Sequence, residues 1–139
     1  METGEKLQAI YAELPKIDCK RKCQGACGPL LIPRVENVQI EKAGAIFDLS
    51  SIKDVELSEK WAWMDRTKLV ATRPIPGSLD CSMLYPSGKC RVYAIRPLVC
   101  RVWGMIDEPE MRCPFGCVPD RWLTGKEVRS LFERVLGIE

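Results

Sequence analysis

Eight cysteines and no histidine in a chain of 139 residues constrain this sequence more than any other feature. The cysteines stand at 19, 23 and 27, at 81, 90 and 100, and at 113 and 117. A chain of this length buries a core of its own and does not depend on cross-links to fold. Its start, Met-Glu-Thr-Gly-Glu-Lys, lacks the basic-then-apolar pattern of a secretory leader. No run approaches the roughly 18 apolar residues of a membrane span. The chain therefore reads as cytoplasmic, without a membrane partner. The cytosol keeps thiols reduced, so metal ligation is a better use of these cysteines than a disulfide framework. The lack of histidine excludes His-containing zinc sites, Cys–His nucleophile pairs and imidazole proton shuttles together. Any soft-metal site has to be built from thiolates, with a carboxylate or an external ligand as the remaining options.

The remaining composition, 46% hydrophobic and 29% charged, is that of a globular protein. The net charge of +2 gives no global pull toward nucleic acid or membrane, and a nucleic-acid partner is not expected. Locally the cations are placed with more purpose. Lys20, Lys22, Lys89, Arg91, Arg101 and Arg112 each adjoin a cysteine in sequence, and Arg21 stands midway between Cys19 and Cys23. Four thiolates on a divalent metal or cluster core leave a charge of about −2, which neighbouring cations stabilise. The simpler role for any one of them is to solvate a loop.

Apolar spacing predicts a helix over 5–14, with Leu7, Ile10, Tyr11 and Leu14 on one face and Pro15 closing it. Residues 34–47 predict an amphipathic helix through Val35, Val38, Ile40 and Ile46, weakened by Gly44. A loop or edge strand is expected up to Glu56. A short helix through Leu57, Trp61 and Met64 follows, with Trp61 and Trp63 in core packing. Cys81–Tyr85 and Cys90–Tyr93 flank Pro86-Ser-Gly-Lys89 and predict a β-hairpin. Pro97 suits the first turn of a short helix carrying Cys100. Thr124 and Glu127 form a capping box, after which Val128, Leu131, Phe132, Val135 and Leu136 follow helical spacing.

The cysteine spacing is informative in its irregularity. Zinc ribbons usually present paired cysteines with two intervening residues, and no such pair occurs here. The spacings within 19–27 and 113–117 all have three intervening residues, which zinc also tolerates. Were 19–27 one helix, its thiols would share a face but span about 12 Å, too far for one compact cluster. Gly25 and Gly28-Pro29 instead suggest a curled backbone. Either that segment wraps a single centre or Cys19 serves another. Single cysteines on loops, with Cys113-Pro114 among them, suit cluster ligation.

Cys90-Arg-Val-Tyr93-Ala-Ile-Arg96-Pro97-Leu-Val-Cys100-Arg101, preceded by Cys81, resembles the signature of the YkgJ-type cysteine-cluster family, a zinc- or iron-chelating domain. The resemblance spans about residues 17–119 and includes the closing Cys113-Pro-Phe-Gly-Cys117 motif. It departs at the first motif, where the family has Cys-x-x-Cys-x-x-Cys-Cys and this chain has wider spacing, with Gly28 in place of the doubled cysteine. Family members that carry the domain inside larger enzymes include flagellin lysine methylases, which implies an iron–sulfur centre in part of the family. Trp103-Gly104 is similar to the tryptophan–glycine turn of WhiB-like regulators, over too few residues to imply a function.

The expected fold is α+β: one small domain over 1–139, mostly short helices and loops with one β-hairpin, organised around cysteine-ligated metal. A packing helix over about 124–137 completes it. The expected ligands are Cys19, Cys23, Cys27, Cys81, Cys90, Cys100, Cys113 and Cys117. Tyr93 would pack over the centre, while Arg96 and Arg101 would lie near the Cys100 sulfur and bond cluster sulfides or a carboxylate. The expected cofactor is one or two iron–sulfur clusters, of the [4Fe–4S] type, in electron transfer or redox sensing with a protein redox partner or client. The alternative is zinc in a structural module for protein or nucleic-acid contacts. No catalytic activity of its own is expected, since a reactive thiolate would lack a histidine or a Cys-x-x-Cys partner.

Overall fold

Leu69-Val-Ala-Thr72 is a short apolar run with no turn-forming residue, and it makes the fully buried central strand of an antiparallel sheet. The computed structural model describes residues 2–17, 31–55, 57, 61–73, 93–109, 112–113 and 116–138, with backbone alone for Asp54 and Tyr93. In chain order the main elements are α1 (Thr3–Tyr11), β1 (Leu31–Pro33), α2 (Arg34–Lys42), β2 (Leu49–Ser50), β3 (Leu69–Thr72), α3 (Leu98–Val102) and α4 (Gly125–Leu136).

The sheet order is β1-β3-β2, with Leu31 opposite Ala71, Pro33 opposite Leu69 and Leu49 opposite Thr72. Pro33 cannot donate to a ladder, and its place at the end of an edge strand removes that need. The edge strand expected before Glu56 is β2. The sheet otherwise differs from expectation, since β1 and β3 come from segments too short to show an alternating pattern. Of the expected hairpin, Tyr93 instead opens a 3-10 turn, Tyr93–Ile95, and the rest lies outside the described residues.

Helix α4 forms as its sequence predicts. Thr124 accepts from the Glu127 amide, the Glu127 side chain returns to the Thr124 amide, and all five apolar residues of the predicted stripe are buried. They meet Leu7 and Ile10 of α1, Leu98 and Val102 of α3, Leu69, and the Met105-Ile106 segment in one core. Trp61 packs edge-on against Phe132, with ring centroids 5.3 Å apart, and Trp63 lies beneath the Arg129 guanidinium at 4.6 Å. Both tryptophans therefore pack as expected. Of the expected helix, residues 61–64 make a turn and residues 58–60 lie outside the described residues, while Asp65 caps a short 3-10 turn at Arg66–Lys68.

Helix α1 begins and ends slightly earlier than expected, and Leu14 follows it in a turn. Helix α2 stops at Lys42, ahead of Gly44 with φ of +95°. Its inward face is the predicted one only in part, with Ile40 buried and Val35 packed against the core. Ile40, Glu36 and Asn37 are buried, whereas Val38 and Ile46 are exposed. Counting from Pro33, the buried positions fall at i+3, i+4 and i+7, a helical stripe in which two of three are polar. Among the described residues no helix is long and apolar enough to cross a membrane.

Replacing the cap, Thr124→Ala, should lower stability by about 1 kcal/mol, and Phe132→Ala by about 3–5 kcal/mol, both read as urea midpoints of the full chain.

Candidate metal centre

Cys100 is carried by α3, a single turn too short to be stable by itself. Pro97 precedes it in extended conformation, and the Pro97 carbonyl accepts from the amides of Cys100 and Arg101 at 3.0 and 3.2 Å. Leu98 and Val102 anchor the turn in the core, and the Cys100 side chain is half-buried. At the start of the turn the Leu98 amide donates to Glu36 Oε2 at 2.6 Å. That bond satisfies one of the orphan donors of the helix start with a carboxyl oxygen.

Beyond α3 the chain turns at Gly104, where φ is +86°. A Cβ added there would stand 3.5 Å from the Cys113 Cβ and 3.7 Å from Ile17 Cδ1. Three separate stretches thus meet on one glycine. Gly104 and Met105 bridge to Arg112, and Ile17 bridges to Pro119. The Asp120 amide donates to the Lys16 carbonyl at 2.8 Å, and the Lys16 amide donates to Asp120 Oδ1 at 3.1 Å. Between Cys113 and Cys117, the Gly116 amide donates to the Cys113 carbonyl at 3.3 Å, and Gly116 has φ of +81°. Cys113 is half-buried and Cys117 buried.

The ends of the other cysteine stretches attach to the same frame. The segment with Cys19, Cys23 and Cys27 runs in sequence from Ile17, at the Gly104 contact, to Leu31, the first residue of β1. The segment with Cys81 and Cys90 leaves just beyond Thr72 of β3 and rejoins the described chain at Tyr93, ahead of α3. Leu31 lies opposite Ala71, and α3 packs on β1.

Cys19, Cys23, Cys27, Cys81 and Cys90 themselves lie outside the described residues, as does the Tyr93 side chain. Cys100, Cys113 and Cys117 are described, but no group of three or more ligand-type side chains close enough to hold a metal occurs among the described residues. Arg96 is half-buried and its carbonyl accepts from Arg101 Nε at 2.7 Å. Arg101 also donates to the Ala94 carbonyl at 3.4 Å and stacks on the Tyr11 ring at 3.9 Å. Arg112 pairs with Asp107 at 2.6 Å and lies over the Trp122 ring at 4.8 Å. Both arginines next to described cysteines therefore also hold the surrounding backbone and rings in place.

Sequence reasoning missed the group beside them. Glu36 is 1% exposed, and its Oε2 accepts from the Tyr11 hydroxyl as well as from Leu98. Burial raises its carboxyl to about 7, although Tyr11, the Leu98 amide and the Arg101 charge each pull it down. Burial, reinforced by Glu36, also pushes Tyr11 up. Burial lowers Arg101, against the anionic groups of Tyr11, Glu36 and Cys100. The signal for Glu36 was its place in the buried stripe of α2, hidden because the stripe there is polar.

The chain matches no family model, no curated protein and no solved structure.

Glu36 binds its proton more tightly in the folded chain than in the unfolded one. Its contribution to stability is therefore complete below about 4.5 and is lost as pH rises through about 7. The loss is on the order of 3 kcal/mol. Urea midpoints measured between about pH 5 and pH 8 should converge on, or cross, those of Glu36→Gln as pH rises, because the variant lacks this titration. Gly104→Ala should cost about 1 kcal/mol or more from its left-handed backbone, again by urea midpoint.

Proposed function

We propose that this chain is an iron–sulfur protein of the YkgJ-type cysteine-cluster kind, which holds one or two clusters of the [4Fe–4S] type and acts in electron transfer or redox sensing. The observation that carries the reading is the meeting of Ile17, Gly104 and Cys113, with Pro119 bridged to Ile17. It ties the start of the first cysteine segment to the last one, beside the helix that bears Cys100. The donor chemistry fits such a group, because a chain with eight cysteines and no histidine offers many thiolates and no imidazole. Cys100, Cys113 and Cys117 would hold it together with cysteines of the two other segments. Bound there, a cluster supplies a one-electron couple.

The protein's own residues prepare the surroundings. Leu98 and Val102 keep the inner side of α3 dry, and exclusion of water tunes a cluster's potential and slows its oxidative loss. Arg101, held by the Ala94 and Arg96 carbonyls, places a fixed positive charge next to Cys100. Such a charge stabilises the thiolate. Its role in this reading is to balance charge, and the protein acts through a redox partner or client.

The structural zinc module is the reading against which the test decides. Full-length protein expressed with ample iron and purified anaerobically should be brown, with broad absorbance near ~400 nm and acid-labile sulfide. Cys100→Ser, Cys113→Ser and Cys117→Ser should each lower iron and sulfide content several-fold in the same analysis. A colourless protein with stoichiometric zinc, unfolding on chelation, would reject the iron–sulfur assignment in favour of zinc.

A further inference from the structure

Glu36 is the only buried carboxylate among the described residues, and it lies where three helices meet. One oxygen takes the hydrogen bonds of Tyr11 and Leu98; Oε1 is buried with no hydrogen-bond partner among the described residues. An oxygen left bare in a dry interior is costlier on an anion than on a neutral acid. The groups facing it are few. From α1 comes Tyr11, from α3 comes Arg101, and α2 adds the Asn37–Glu41 hydrogen bond at 3.3 Å. Strands β1 and β3 carry no ionisable side chain.

Arg101 is the link to the cysteines. Its guanidinium stacks on the Tyr11 ring, and its charge acts on Glu36 and on the adjacent Cys100 alike. Two anions that share one half-buried cation sense each other's charge, more weakly than in a dry interior. Negative charge added at the Cys100 sulfur offsets the field of Arg101 at the carboxylate, so Glu36 holds a proton more tightly. The half-buried Tyr11 hydroxyl, bonded to Glu36, offers the proton a route to solvent.

Resting on the metal-centre reading above, we propose that Glu36 is the proton-binding partner of the centre at Cys100, taking up one proton from solvent when the centre gains one electron from a one-electron reductant. The charges balance: one electron enters at the sulfur-bound group, one proton forms the O–H bond of the Glu36 carboxylic acid, and the net charge of the interior is unchanged. Reoxidation returns both. Glu36 therefore sets the pH dependence of the centre and acts through Arg101.

The test is a redox titration of the metal-loaded full chain between about pH 6 and about pH 9. The wild-type midpoint should fall with rising pH, approaching about 59 mV per unit, which is a tenfold change in proton activity at one electron. Redox-difference infrared spectra should show a protonated carboxyl band that appears on reduction. Glu36→Gln should abolish both the slope and the band. Tyr11→Phe, which keeps the carboxyl but removes a bond favouring its ionised form, should move the sloping region to higher pH. An equal slope in wild type and Glu36→Gln, or no slope in wild type, overturns the proposal. If the protein is colourless and binds zinc, the iron–sulfur reading fails on its own. The Glu36 carboxyl is then titrated by infrared in zinc-loaded Cys100→Asp, which keeps the anion, and Cys100→Ser, which removes it. A higher titration point in the Asp variant supports the coupling, and equal points overturn it.

Discussion

A single buried carboxylate holds together elements that could not stand alone. Helices α1 and α2 have nine residues each and α3 has five, all shorter than the roughly 12–15 residues an isolated helix needs. Glu36 of α2 takes hydrogen bonds from the Tyr11 side chain of α1 and from the first amide of α3. Burying that carboxyl is unfavourable in itself and leaves one oxygen without a hydrogen bond among the described residues. In exchange it makes the orientation of α3 specific, which apolar packing of Leu98 and Val102 would leave freer to slide. The position of Cys100 follows from that orientation.

The rest of the fold divides into a support and a frame for the cysteines. The support is apolar: α4 lays five buried side chains across α1, α3 and the central strand, with Trp61 closing over Phe132. The frame is mostly backbone. Gly104, in a left-handed conformation, turns the chain where Cys113 and Ile17 approach it, and paired hydrogen bonds between Lys16 and Asp120 hold the closing loop to the start of the first cysteine segment. Backbone bonds of this kind suit Cys113 and Cys117, which lie in no helix or strand that would set their spacing. Surface ion pairs such as Arg134–Glu13 and Arg121–Glu127 add little to this, being exposed to solvent.

How legible each element was depended on how much of its structure is local. Helix α4 could be read in full because its cap and its stripe are both written within 14 residues, from Thr124 to Gly137. The α3 turn could be read from Pro97, whose fixed φ sets the start of a helix. Strands β1 and β3, of three and four residues, could not, because a run that short has no period and is defined only by its pairing partner. In α2 the periodicity was present but misassigned. Val38 was read as core because it is apolar, whereas the structure turns Glu36 and Asn37 inward and leaves Val38 at 41% exposure. The candidate ligands were visible as residue types, while the neighbours that would tune them, Glu36 and Tyr11, were not.

By itself the sequence determined which donor side chains are present. Thiolates without imidazole is a matter of composition, and so is the cap that starts α4. Tertiary structure decided which distant stretches face each other: Ile17 against Gly104 and Cys113, Leu31 beside Ala71, and Glu36 beneath Leu98, sixty-two positions away. The reason is physical. A helix cap or a proline acts within one turn of chain, whereas a buried charge is tolerable only where partners from other elements arrive to meet it.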